Sequence, residues 1–143
     1  MVLKQRIRHI FVIVLVIIST YVNAQYMLHI QIEEIKTDKG FIMLALFNNE
    51  SDFPNKNAFK VDSVKAIKGE VNLKLSNIPG GTYAIAVYHD ENSNGELDKN
   101  MIGIPTESFG FSWKDDPKFT RPSWTDMRFT ISGDKKMVIP LVN

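Results

Sequence analysis

The sequence predicts an all-β chain, an antiparallel β-sandwich of about seven short strands. Three observations carry that prediction. Apolar residues recur at every second position in segment after segment, the period of a strand with one buried face. Turn sequences rich in Gly, Pro, Asp and Asn separate these segments. No stretch beyond Gln25 sustains a helical period.

Taken in order, Leu28, Ile30 and Ile32 alternate with His29, Gln31 and Glu33. Thr37-Asp38-Lys39-Gly40 is a turn. Phe41 to Phe47 is apolar throughout, as a central strand buried on both faces is, and with the preceding segment it reads as a hairpin. Phe59 and Val61 open another strand, whose phase slips near Asp62-Ser63 before Val64 and Ala66 take over, a pattern a bulge explains. Gly69 leads into Val71, Leu73 and Leu75, and Pro79-Gly80-Gly81 into the strand from Thr82 to His89. There Tyr83, Ile85 and Val87 share one face while Ala84 and Ala86 share the other. Met127, Phe129 and Ile131 alternate with Arg128 and Thr130, Ser132 to Lys135 turns the chain, and Met137, Ile139 and Leu141 close the domain. Pro140 lacks an N–H, so the last strand is expected to lie at a sheet edge or to donate no ladder bond there. The general form is immunoglobulin-like or prealbumin-like, with an eight-stranded barrel as the alternative.

Between Glu91 and Thr125 the periodicity lapses and Gly, Pro, Asn and Asp accumulate. A loop of that length inside a compact domain is usually functional or disordered. Phe109, Phe111, Trp113, Phe119 and Trp124 argue against disorder, and the segment is expected to fold over one end of the sandwich.

The N-terminus reads as a cleavable export signal over residues 1–24, leaving residues 25–143 as one domain. Lys4, Arg6 and Arg8 form a basic start, Ile10 to Ile18 is an unbroken apolar run of nine, and Val22-Asn23-Ala24 supplies the small-x-small end. The run falls well short of the roughly 20 residues that span a bilayer, so no membrane span is expected after cleavage. The expected location is periplasmic or secreted. There is no cysteine, which excludes disulfides, thiolate chemistry and a lipoprotein anchor. Taking Lys4, Arg6 and Arg8 from 17 basic residues leaves 14 against 16 acidic ones. Nucleic acid is therefore not the expected partner, since it calls for a strongly basic face.

One motif carries chemistry. Asp90-Glu91-Asn92-Ser93-Asn94-Gly95-Glu96-Leu97-Asp98 places oxygen side chains at positions one, three and five, Gly at six and a carboxylate at nine, the spacing of the first part of a calcium-binding EF-hand loop. Asp90, Asn92, Asn94 and Asp98 would offer side-chain oxygens to Ca²⁺, and Glu96 its backbone carbonyl. Position twelve is Met101, where a bidentate Glu belongs, and Glu107 is the candidate replacement. The alternative is a structural turn, because Asp and Asn side chains bond their own backbone and Asn94-Gly95 favours a tight reversal.

The run Gly81-Thr82-Tyr83-Ala84-Ile85-Ala86-Val87-Tyr88-His89-Asp90, followed by Asn92, Asn94-Gly95, Leu97-Asp98, Asn100, Gly103, Pro105, Glu107 and Gly110-Phe111-Ser112, closely resembles domain-of-unknown-function family 2141, small exported bacterial proteins. The resemblance covers essentially the whole mature chain and is most distinctive from Gly80 to Ser112. It implies a β-sandwich and export, and no activity.

Other constellations are weaker. His29 lies on the polar face of its strand, and exposed His is common. His89 abuts Asp90 at a strand end, where it caps the strand, orients Glu107 or Asp98, or serves as a proton carrier. A hydrolase would recruit His89 and Asp90 with Ser108 or Ser112, but neither a G-x-S-x-G elbow nor an H-E-x-x-H zinc motif is present. Asp115-Asp116-Pro117 reads as a solvated turn. Trp113 and Trp124 either stack on a sugar or peptide or cover the sandwich. Asn49-Glu50-Ser51 has the form of a glycosylation sequon. The leading expectation is an exported, non-enzymatic module that binds a ligand or partner at its loop end, with Ca²⁺ as a structural clip. A hydrolase using His89, and a carbohydrate- or peptide-binding module using Trp113 and Trp124, are the alternatives.

Overall fold

The computed structural model describes residues 24–113 and 123–142. The expected leader apart from Ala24, together with Asp115, Asp116, Pro117 and Phe119, lies outside the described residues.

Among the described residues, eight strands and one helical turn follow in order: β1 (Gln25–Ile35), β2 (Phe41–Phe47), β3 (Lys60–Lys65), β4 (Gly69–Pro79), β5 (Gly81–Asp90), β6 (Phe109–Phe111), α1 (Trp124–Met127), β7 (Phe129–Ile131) and β8 (Lys135–Pro140). One sheet has the order β4-β1-β8, with β4 antiparallel and β8 parallel to β1. The other has the order β3-β2-β5-β6, all antiparallel, with β7 sharing the outer edge of β5. The sheets stay open, so the architecture is a sandwich and not the alternative barrel.

Period-two apolar residues form the core as the sequence predicts. Leu28, Ile30 and Ile32 of β1 and Val71, Leu73 and Leu75 of β4 are buried in one cluster with Ile42, Leu44 and Leu46 of β2 and Tyr83, Ile85 and Val87 of β5. Each fully buried Leu or Ile contributes about 1.5–3 kcal/mol relative to an exposed one, so this layer is the main stabilising element. Pro140 lies in edge strand β8, as its missing N–H requires.

Four expectations are corrected. β1 and β2 do not pair as a hairpin; they belong to opposite sheets, and the Thr37–Gly40 turn carries the chain across the core. Alternation identifies the buried face of a strand without identifying its ladder partner. Gly40 makes the crossing possible: its φ is +67°, and a Cβ there would lie 1.8 Å from the carbonyl oxygen of Asp90. β2 is central but its outer face is only partly buried: Phe47 is buried there against Phe53, Met43 and Ala45 are half-buried, and Phe41 is exposed. β3 has no bulge, because its register with β2 runs unbroken from Phe41–Lys65 to Leu46–Lys60. The slip in pattern arises because Val61 simply stays exposed on this edge strand, whereas the register shifts of the molecule fall between β1 and β4. Met127 is not in a strand but ends α1, whose N-cap Ser123 accepts from Asp126 N–H at 3.3 Å.

Candidate functional site

β5 ends at Asp90, and the chain then leaves the sheet until β6 returns to pair with the same strand, Phe109 opposite Tyr88. The excursion between them is built on Asp90, which is buried. Its Oδ1 accepts the Asn94 N–H at 3.0 Å and its Oδ2 the Gly95 N–H at 2.9 Å. Ser93 and Gly95 take positive φ values of 61° and 81°, which coil the loop around that carboxylate. The Tyr88 hydroxyl donates to the Gly95 carbonyl at 2.8 Å. Burial raises the Tyr88 phenol above its ordinary value, and the negative charges of Asp90, Glu107 and Glu96 raise it further.

Asn92, Asn94 and Asp98 are brought together. Both amides donate to the Asp98 carboxylate, Asn92 Nδ2 at 2.6 Å and Asn94 Nδ2 at 3.0 Å. Their Oδ1 atoms accept backbone N–H groups, Asn92 from Asn94 at 3.0 Å and Asn94 from Glu96 at 2.8 Å. These are Asx turns, the structural alternative read from the sequence. Among the described residues no group of three or more His, Asp or Glu side chains could hold a metal. A cation here would have to draw on the Asn oxygens and the Glu96 carbonyl, and both amides would have to turn their oxygens inward.

Glu107 does fold back onto the loop. It is buried, and its Oε1 accepts the Glu91 N–H at 2.9 Å while its Oε2 accepts the Asp98 N–H at 3.1 Å. One carboxylate thus ties both ends of the loop. Thr106 N–H donates to the Asp98 carbonyl at 2.9 Å and continues the closure.

His89 is fully buried on the core side of β5. Its Nε2 lies 2.7 Å from the Lys39 carbonyl, which can only accept, so Nε2 carries the proton. Nδ1 has no hydrogen-bond partner and stands 3.8 Å from Glu91 Oε1. The imidazole therefore anchors the β1–β2 turn to the base of the loop, and it makes no hydrogen bond to Glu107 or Asp98. Ser112 is equally committed: its hydroxyl accepts the Ile85 N–H at 2.8 Å and donates to the Met127 carbonyl at 2.7 Å. Ser108 is buried, and its backbone carbonyl accepts the His89 N–H at 2.8 Å. Asp90, His89 and Ser112 thus each serve the fold. His29 is half-buried within β1.

Trp113 and Trp124 join one aromatic cluster. Trp113 packs edge-on against Phe111 at 5.6 Å, and Phe53 bridges Phe111, Trp124 and Phe47 at 5.9, 6.0 and 5.5 Å. Phe53 gives no signal in the sequence, because it comes from the β2–β3 loop, which carries no periodicity.

The tip of the excursion also escapes reading from the motif alone. Asn100 Oδ1 accepts the N–H groups of Ile102 and Ile104 at 3.1 and 3.0 Å, while its backbone exchanges bonds with Ile104 and Gly103 at 2.9 Å each. A bridge between Lys99 and Pro105 closes the hairpin. Asn100 thus holds the turn from within, yet Met101, Ile102 and Ile104 stand 104%, 79% and 55% exposed. The readable signal is Asn100 followed by three large apolar residues within four positions.

A family described as an uncharacterized protein conserved in bacteria, DUF2141, matches over residues 30–139. No curated protein and no solved structure matches the chain.

Proposed function

The chain belongs to that uncharacterised bacterial family, and on this premise we infer that it is an exported, non-enzymatic β-sandwich module whose Glu91–Ser108 loop end binds a partner. The observation that carries the reading is the contrast at the Asn100 hairpin. Every turn of the loop is fastened by Asp90, Glu107 or Asn100, yet three large aliphatic side chains at its tip are left bare. Clustered exposed apolar side chains on a small domain mark interaction sites. The commitment of His89 and Ser112 to buried structural bonds favours this reading over a hydrolase. The sequence holds no cysteine, and among the described residues no helix is long and apolar enough to cross a membrane.

A photo-crosslinking amino acid at Ile102 tests it in producing cells. Adducts should form from Ile102 and not from Val138, which is exposed on the opposite sheet. Equal yields at both positions, or none at either, refute a binding role for this end.

Calcium is the second reading, favoured by the gathering of Asn92, Asn94 and Asp98 within hydrogen-bond distance. Rotation of both amides would give Ca²⁺ oxygens from Asp90, Asn92, Asn94, the Glu96 carbonyl and Asp98. Glu107 would hold the loop ends beside it. The ion would act as a clip on the loop, with the affinity of extracellular modules, on the order of 10⁻⁴–10⁻³ M.

A further inference from the structure

β1 is the centre of its sheet, with β4 on one side and β8 on the other, and it begins at Gln25. On the export reading, cleavage falls between Ala24 and Gln25. The mature chain then starts on the first residue of a central strand, and no linker separates the new α-amine from the ladder. Tyr26, the second residue, already packs against the core and faces Ile78. The Met27 N–H donates to Asp134 Oδ1 at 2.8 Å, and Leu28 is fully buried. An exopeptidase entering at this amine would remove a core contact with its second cut.

Gln25 has the chemistry to close this end. A glutamine with a free α-amine holds a nucleophile and an electrophile in one residue, with its amide carbon Cδ placed to form a lactam ring the size of proline's. An α-amine ionises at about pH 8, so part of it is free base at neutral pH. The reaction is intramolecular and needs no co-substrate, so orientation within one residue replaces an encounter. The α-nitrogen bonds to Cδ, the bond from Cδ to Nε2 breaks, and a proton from the α-amine leaves with Nε2 as ammonia. The product, pyroglutamate, has neither a charge nor a primary amine.

The fold leaves the residue free to react. Gln25 is exposed, and its side-chain amide makes no hydrogen bond with a described residue. Its ladder partner is Pro79, which has no N–H to offer it. The product also fits. Proline is tolerated at the first residue of a strand, and the lactam ring, which unlike proline keeps an N–H, is accommodated at the same place.

We propose that the mature chain begins with pyroglutamate at position 25, formed by cyclisation of Gln25 once the leader is removed. This rests on the export reading. The cyclised end presents no amine to an aminopeptidase, so the strand on which the β4-β1-β8 sheet is assembled is closed to trimming from its free end.

Intact-mass measurement of protein freshly purified from the exported fraction tests it, together with labelling of α-amines before digestion. The mass should equal that of residues 25–143 less one ammonia, and the N-terminal peptide should carry no label on its α-nitrogen. Gln25→Ser, exported in parallel, should show the full mass of its residues 25–143 and a labelled α-amine. Asn94-Gly95 is a second place where ring closure releases ammonia, and this variant separates the two: a deficit that survives Gln25→Ser overturns the proposal. An exported chain that begins with an uncyclised, labelled Gln25, or with any other residue, also overturns it while the export reading stands. A chain that keeps Met1 and stays inside the cells overturns both.

Discussion

Ser112 stands in for a strand at Ile85. β6 covers β5 from Ala86 to Tyr88 and β7 covers it from Gly81 to Tyr83, leaving the ladder interrupted between them. At the interruption the Ser112 hydroxyl accepts the Ile85 N–H at 2.8 Å, and the Ser112 N–H donates to the Ile85 carbonyl at 3.1 Å. The same hydroxyl donates to the Met127 carbonyl at 2.7 Å and so joins the two short strands' ends to β5.

Ser112→Ala should therefore be costly for so small a change. It orphans a buried N–H and a buried carbonyl, each worth about 1–3 kcal/mol when left unsatisfied. A loss of about 2–4 kcal/mol is expected in urea denaturation, on the same principle. Ser132→Ala, at an exposed turn, should change stability by less than about 0.5 kcal/mol. Equal effects from the two would contradict the role given to Ser112.

Glu107→Gln should loosen the loop while leaving the sandwich folded. The amide keeps one acceptor oxygen, but its NH₂ group would meet one of the two N–H donors now held by the carboxylate. Hydrogen exchange at Glu91 and Asp98 should accelerate at least tenfold, the equivalent of about 1.4 kcal/mol of lost charge-assisted bonding. Exchange at Ile30, in the middle of the doubly paired β1, should not change. Unaltered exchange at both loop amides would refute the clamp.

Calcium should raise the melting temperature by several degrees at about ten times its dissociation constant, a gain of about 1.4 kcal/mol by mass action. Asp90→Ala should remove that rise, although it also lowers the baseline because Asp90 holds the Asn94 and Gly95 N–H groups. Asp98→Ala is the sharper control, since Asp98 receives only side-chain amides through its carboxylate. Magnesium should do much less, because it dehydrates reluctantly. No heat by calorimetry and no thermal shift at millimolar Ca²⁺ would leave the loop a hydrogen-bonded turn.

Alkaline pH should expose the field around Tyr88. Its folded phenol lies above the ordinary value of 10.0 through burial and then the charges of Asp90, Glu107 and Glu96. The native state thus keeps its proton after the unfolded chain has lost it. This contribution is fully present below about pH 10 and is lost as pH rises through the raised folded value. Tyr88→Phe should flatten that part of the decline in denaturation curves. In absorbance titration at about 295 nm, Ca²⁺ bound at the loop should bring the Tyr88 transition back down, since a cation opposes the same carboxylates. A transition indifferent to saturating Ca²⁺ places the ion elsewhere.

The sequence by itself determined the class of fold and the location of the unusual loop. Leu28, Ile30 and Ile32, or Tyr83, Ile85 and Val87, declare a buried face by period alone, because alternation is a local property of extended chain. The Asp90–Asp98 spacing declares a tight, oxygen-rich turn for the same reason: its hydrogen bonds span only a few residues. Tertiary structure decided what rests on contacts between distant segments. It put β1 and β2 in different sheets, since nothing local to Thr37–Gly40 states which strand will supply the ladder. It turned Ser112 from a candidate nucleophile into a splice for Ile85, and His89 from a proton carrier into a tie to Lys39. It brought Glu107 back onto Glu91 and Asp98, a closure that spacing suggested but only the return of β6 to the edge of β5 makes possible. Ladder pairing and buried polar bonds are long-range choices among many locally equivalent partners, and the packed core selects among them.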